Sequence, residues 1–192
     1  MVIGIMASPR NGGNSDIILD KALEGARSAG ARVDKIILND LDFKACQECG
    51  GCGRTGICTR RDGMRPVYKK LESSDAVIIA SPVFFGTVSA QLKMMIERFQ
   101  CLWVKKYILK LSPPRKKKRR GVFLCVSASD RKEFFENAKK IVRIFFATLD
   151  IEYFEEVFCA KVDKAGAIRA HKEALNKAFR LGKRLASYGE QV

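Results

Sequence analysis

The sequence predicts a doubly wound α/β domain with a five-stranded parallel sheet in the order 2-1-3-4-5. Three observations carry that prediction. Apolar runs of strand length alternate with helical patterns along the chain. The clearest runs are apolar throughout instead of alternating, as strands covered on both faces are. A length of 192 residues suits a single domain, residues 1–192, with room for a sizeable core.

The elements follow in order. VIGIMA (residues 2–7) is the first strand and ends in a turn. Residues 14–29 form a helix with Ile17, Ile18, Ala22 and Leu23 on one face. ARVDKIIL (31–38) is the second strand, GMRPVYKKLESS (63–74) a second helix, and DAVIIASP (75–82) the third strand. A third helix begins near Ser89 and runs past Arg98. GVFLCVSA (121–128) is the fourth strand. DRKEFFENAKKIVRIFFATL (130–149) is the fourth helix, with Asp130 as its N-cap. EYFEEVFCA (152–160) is the fifth strand. Residues 165–188 make the last helix, with Ile168, Ala174, Leu175, Ala178, Leu181 and Leu185 at helical spacing. Such alternation implies crossover connections and a parallel sheet. Size and strand order are those of a flavodoxin-like domain, whose ligand lies at the carboxyl ends of strands one and three. The loops after Ala7 and Ala80 are therefore the places to look.

The first is SPRNGGNS (residues 8–15), joining a strand to a helix start. Its glycines let backbone N–H groups converge where the helix carries partial positive charge, which suits a phosphate. Ser8 and Ser15 offer hydroxyls and Arg10 a fork of donors. It is neither a Walker A loop nor a G-x-G-x-x-G fingerprint. An ordinary turn capped by Ser15 is the alternative. The second loop, SPVFFGTVSAQLK (81–93), carries two adjacent phenylalanines, which suit the edge of a flat apolar ring. Packing beneath the third helix or a subunit contact would also use Phe84 and Phe85.

Between the second strand and helix lies CQECGGCGRTGIC, a cysteine-rich loop insertion at residues 42–60 with Cys46, Cys49, Cys52 and Cys58 spaced C-x2-C-x2-C-x5-C. Glycines 50, 51 and 53 permit the tight turn that three closely spaced thiolates need. In a reducing compartment such a cluster reads first as metal ligands or a redox centre. An iron–sulfur cluster, a zinc site and unliganded redox thiols are the candidates; the sole histidine, His171, lies far along the chain and reads as a surface residue. Cys101, Cys125 and Cys159 are scattered, the last two in apolar strands as core residues.

Composition narrows the function classes. No run of eighteen apolar residues exists, so no membrane span is expected. The N-terminus lacks the basic start of a signal peptide, and a cytoplasmic protein is expected. The net charge of +15 points to an anionic cofactor or an acidic partner. RKKKRR at residues 115–120 reads as a solvated loop. No aromatic residues are interleaved with it, which argues against a nucleic-acid platform, although a basic nucleic-acid-binding module stays as an alternative.

Together, SPRNGGNS, CQECGGCGRTGIC and SPVFFGTVSAQLKMMIER resemble the iron–sulfur flavoproteins of the NAD(P)H-dependent FMN reductase superfamily, over roughly the first hundred residues. The resemblance implies FMN and a [4Fe-4S] cluster as cofactors. It carries the FMN phosphate to Ser8, Arg10, Asn14 and Ser15, and the isoalloxazine to Pro82, Val83, Phe84, Phe85 and Gly86. Cys46, Cys49, Cys52 and Cys58 would hold the cluster. Ser127, just after strand four, is a further candidate at the flavin edge. Two departures stand out: Phe84 replaces a tyrosine, and Gly63 replaces a second acid, leaving Asp62 alone. The implied function is an FMN-dependent electron-transfer oxidoreductase served by an acidic one-electron carrier such as ferredoxin, with small oxidants as acceptors. A cluster-free NAD(P)H-dependent FMN or quinone reductase is the alternative. No catalytic acid or base stands out. A homodimer or homotetramer is implied, with residues 99–111 as the candidate contact.

Overall fold

A computed structural model describes residues 1–112 and 117–188. The strands are β1 (Val2–Met6), β2 (Val33–Ile37), β3 (Ala76–Phe84), β4 (Thr87–Val88), β5 (Arg119–Val126) and β6 (Ile151–Cys159). The sheet runs β2-β1-β3-β5-β6, all parallel, and β4 adds to β3 as a short antiparallel hairpin. Counting only the parallel strands, this is the expected 2-1-3-4-5 order of a flavodoxin-like sheet.

Alternate side chains of each strand enter two different cores. Ile3, Ile5, Val77, Ile79 and Phe123 pack with Leu71 of α2 (Met64–Ser73), Leu92 and Met95 of α3 (Ala90–Arg98) and Val142, Phe145 and Phe146 of α5 (Lys132–Thr148). Val2, Met6, Ile78, Ala80 and Leu124 pack with Ile18, Leu19 and Leu23 of α1 (Asn14–Ser28) and Leu181 and Leu185 of α6 (Lys172–Tyr188). Burial on both faces explains why the inner strands read as unbroken apolar runs. α1 and α6 cross in close contact because Gly25 faces the Phe179 backbone and Gly182 the Ala22 backbone, where any Cβ would clash.

Several expectations need correcting. The last helix does not start at Ala165: a left-handed Gly166 (φ 78°) opens a separate 3-10 turn, Ala167–Ala170, and α6 follows. Asp130 does not cap α5. Arg131 holds that position without a side-chain cap, and Asp130 instead pairs with Lys161 at 3.2 Å. The run at 115–120 is not a single solvated loop. Arg115 and Lys116 lie outside the described residues, and Lys117 and Lys118 are exposed. Arg119 and Arg120 belong to β5, with Arg119 buried and donating to the Leu71 carbonyl at 2.6 Å and Arg120 pairing with Glu152. His171 ends the 3-10 turn and is partly exposed. Beyond Arg98 the chain continues through α4 (Gln100–Trp103) and a π-helical turn, Val104–Ile108. In that stretch Phe99 and Cys101 face the core, while Trp103, Tyr107, Ile108 and Leu111 are exposed.

Candidate functional site

The turn after β1 is built from its own polar groups. The Arg10 N–H donates to Ser8 Oγ at 3.1 Å, and the Gly12 N–H to Asp16 Oδ2 at 2.7 Å. Lys35 neutralises Asp16 from outside, at 2.5 Å. Burial works against charge on Lys35, yet the bonds to Asp16 and Asp20 outweigh it and hold the ammonium above its ordinary value. Gly13 precedes the helix without a side-chain cap, so Ser15 does not serve as the cap. The Asp16 N–H bonds back to the Gly13 carbonyl at 3.0 Å, whereas the N–H groups of Asn14 and Ser15 have no intrahelical acceptor. Ser15 Oγ is fully buried and has no protein partner. A buried hydroxyl beside first-turn donors fits an anion that accepts all of them.

These groups line a cavity of about 130 Å³ with Arg10, Gly13 and, across it, Pro82, Val83 and Phe84. Ser8, Asn14 and Ser15 are among its walls. Asn14 is also committed elsewhere: one amide N–H donates to the Lys164 carbonyl at 2.9 Å, and its oxygen accepts from the Ile168 N–H at 3.2 Å. It therefore latches the loop after β6 onto the turn after β1. That loop supplies three walls not expected from sequence, Val162, Asp163 and Ala165, and the end of β5 adds Val126 and Ala128. At this volume the cavity suits a phosphate-sized head and not a whole three-ring ligand, whose pockets run to roughly 300–1,000 Å³.

Phe84 and Phe85 stand at the tip of the β3–β4 hairpin. Phe85 (φ 48°) and Gly86 (φ 78°) take the left-handed conformations that a two-residue type I′ turn requires. The turn leaves Phe85 wholly exposed and Phe84 41% exposed, so neither packs beneath α3. Phe85 and Gly86 are not among the cavity walls, nor is Ser127. Ser127 is buried, with Oγ accepting from the Ser129 N–H at 3.1 Å and its backbone bonded to Cys159 and Val162. The hairpin is tied to β1 by Ser89, which caps α3 by accepting from the Leu92 N–H and donates its hydroxyl to the Ala7 carbonyl at 2.6 Å.

The cysteines occupy the irregular segment between β2 and α2. Its two ends meet where the Gly63 N–H donates to the Asp42 carbonyl at 3.0 Å. Cys52 opens one turn, its carbonyl accepting from the Gly56 N–H at 2.8 Å. Of the three glycines expected to supply unusual angles, only Gly50 is left-handed (φ 70°). Gly51 is needed for space, since a Cβ there would meet Thr59 at 2.8 Å. All four sulfur residues line one cavity of about 140 Å³, several times the 30 Å³ share of a single water. Among the described residues no three His, Cys, Asp or Glu side chains converge on a point that would hold a single ion. Four cysteines on one cavity are a donor set that an iron–sulfur cluster or another thiolate-held group would use.

Two further residues enter this wall that the sequence did not single out. Cys101 is buried against it and donates weakly to the Arg98 carbonyl; burial, with the nearby Cys58 charge, pushes its thiol up to about 11. Arg98 is 3% exposed. Its guanidinium makes a two-pronged pair with Asp62, at 2.6 and 3.1 Å, and donates to the Lys44 carbonyl at 2.9 Å and to Cys58 Sγ at 3.4 Å. Asp62 is thus a partnered acid. Burial pushes the Asp62 carboxyl up, but Arg98 and the Met64 N–H outweigh it and hold the group below the usual carboxylate range. Burial likewise raises Cys58, and the Arg60 N–H and Arg98 outweigh it, so this thiol ionises more readily than usual. Cys49, open to solvent, is lowered by the Gly51 N–H and Thr59. Burial raises Cys52.

Comparison with known proteins decides the family: the model of the NADPH-dependent FMN reductases matches residues 1–160. The chain belongs to that family. Its curated relatives include an iron-sulfur flavoprotein of Archaeoglobus fulgidus, 41% identical over 96 residues, which are 50% of this chain and 44% of the relative. An iron-sulfur flavoprotein of Methanocaldococcus jannaschii is 30% identical over 146 residues, 76% of this chain and 70% of the relative. The chain spans about half the length of most curated relatives it matches. The solved structure of an NAD(P)H:quinone oxidoreductase from Methanothermobacter marburgensis shares the fold of this FMN reductase family member, with a TM-score of 0.73 at 18% identity over 96% of this chain and 98% of that one.

Proposed function

We propose that this FMN reductase family member is an electron-transfer flavoprotein that carries FMN at the strand ends and a [4Fe-4S] cluster in the cysteine loop. When bound, FMN supplies one- and two-electron chemistry and the cluster one-electron chemistry. The observation that carries the reading is the presence of two separate cavities, one lined by Ser8, Arg10, Asn14 and Ser15 at the strand ends and one lined by Cys46, Cys49, Cys52 and Cys58.

The chain's own groups have distinct tasks. Ser15 Oγ, the Asn14 and Ser15 N–H groups, Ser8 and Arg10 bind the FMN phosphate. Pro82, Val83 and Phe84 offer an apolar edge, and the hairpin tip at Phe85 and Gly86 lies open for the ring and its partner molecule. Ser127 Oγ accepts from the Ser129 N–H in the turn after β5 and keeps its hydroxyl proton for the flavin edge. Cys46, Cys49, Cys52 and Cys58 hold the cluster. Arg54, Arg60 and Arg61 stand exposed around this loop and give an acidic carrier such as ferredoxin a surface for electrostatic docking. The exposed apolar stretch from Trp103 to Leu111 is the contact for a homodimer or homotetramer. No helix among the described residues is long and apolar enough to cross a membrane.

The alternative is an NAD(P)H-dependent reductase without a cluster, which the name of the family model favours. Anaerobic stopped-flow separates the two. Our reading predicts that a reduced one-electron carrier bleaches the flavin band quickly, and that this rate falls steeply with added salt. Rapid bleaching by NAD(P)H alone, with no response to the carrier, would favour the alternative.

A further inference from the structure

We infer that Arg98 sets the reduction potential of the cluster that the four cysteines hold and fixes its seat, an inference that rests on the cluster reading above. The residue sits at the C-terminal end of a helix, where a cation is ordinary on the surface. Here it is buried, and three of its bonds go to the cysteine loop: to Lys44 before the first cysteine, to Asp62 after the last, and to Cys58 itself. Tyr68 fixes the backbone behind it by donating to the Arg98 carbonyl at 2.9 Å, and Phe99 packs edge-on against that ring. A side chain needed only to anchor the loop would not have to aim a guanidinium N–H at a sulfur. Taking up one electron adds one negative charge to the cluster and its thiolates. A fixed cation and an N–H donor at one thiolate favour that reduced form and raise the potential. The Asp62 carboxylate, bound to the same guanidinium, offsets part of this charge.

The pair thus makes predictions of opposite sign. Arg98→Lys keeps a cation but cannot reach Lys44, Asp62 and Cys58 together. Asp62→Asn keeps the guanidinium and removes the offsetting charge. Both variants, with the wild type, are purified without air, their iron and FMN counted, and the cluster titrated potentiometrically with dithionite. We expect full FMN in both, full iron in Asp62→Asn and lowered iron in Arg98→Lys, a tenfold weaker electron affinity in the cluster that Arg98→Lys retains, which is a shift of about 59 mV to more negative values, and a shift to more positive values in Asp62→Asn. Unchanged potentials with full iron would overturn the inference and leave the cluster reading intact. A wild type with FMN and no iron would overturn both. Loss of iron in Arg98→Lys with FMN retained would support the seating role, and the sign of the Asp62→Asn shift then decides the potential.

Discussion

The two cavities are built in different ways. The one at the strand ends stands on regular structure, the first turn of α1 and the ends of β3 and β5, and is closed by the loops after β1 and β6. Its shape follows from the sheet, and its latches, Ser89 to Ala7 and Asn14 to Lys164, tie one element to another. The cysteine cavity lies in a segment with almost no regular hydrogen bonding, and its walls are pinned chiefly through one buried arginine of the helix below. The first site should survive changes in the second, and the second should depend on a few long-range bonds. Removing either partner of the partly buried Arg98–Asp62 pair leaves the other charge unpaired and should loosen the cysteine loop.

The strongest way to break this contrast is to remove a sulfur. Cys52→Ala should abolish iron binding, from about four irons per chain to less than one, while FMN content stays unchanged. Iron loss accompanied by flavin loss would show that the two sites are not independent. Next in size is Ser15→Ala. Its hydroxyl has no protein partner, and a bond to a charged phosphate contributes about 1.5–3 kcal/mol. FMN affinity, read by quenching of flavin fluorescence, should fall at least tenfold while iron content holds. A change below twofold would remove Ser15 from the phosphate site.

Cys101→Ala sharpens the comparison with a smaller effect. This thiol lines the cysteine cavity but is buried and disfavoured as a thiolate. The variant should keep its iron and lose only about 1 kcal/mol of stability in urea unfolding; iron loss would make Cys101 a ligand. The smallest effect is acid loosening of the cysteine loop. The folded-state pKa of Asp62 lies below its unfolded value of 3.8, so its contribution is fully present above that value and lost as pH falls through the folded pKa. The protection of the bonded Gly56 and Gly63 amides, measured relative to their intrinsic exchange rates, should hold down to about pH 4 and be lost below it. Equal loss in the turn after β1 would mean general unfolding instead.

How far the sequence revealed this molecule depends on how local each signal is. Doubly buried strands declare themselves within five residues, so β1, β3 and β5 are legible, and with them the places where a ligand sits. The Ser8–Ser15 turn follows from its position between strand and helix. The cysteine spacing is equally local. What escaped notice acts across distance. Arg98 looks like any cation in a last helical turn, and its bond to the Lys44 carbonyl spans 54 residues. Cys101 looks scattered until α4 delivers it to the wall. Arg119 was hidden in a basic run because a buried arginine is visible only through the carbonyls it meets at Leu71 and Leu149. Val162, Asp163 and Ala165 join the first cavity because Asn14 holds their loop, a pairing over 150 residues.

The central claim is that one chain holds both an iron–sulfur cluster and a flavin, each in its own cavity. Its most direct test is iron, acid-labile sulfide and FMN per chain, with a visible spectrum, on protein purified without air. The account predicts about four irons, four sulfides and one FMN per chain, with broad brown absorbance beneath the flavin bands. One FMN with no iron, or zinc in place of iron, would contradict it.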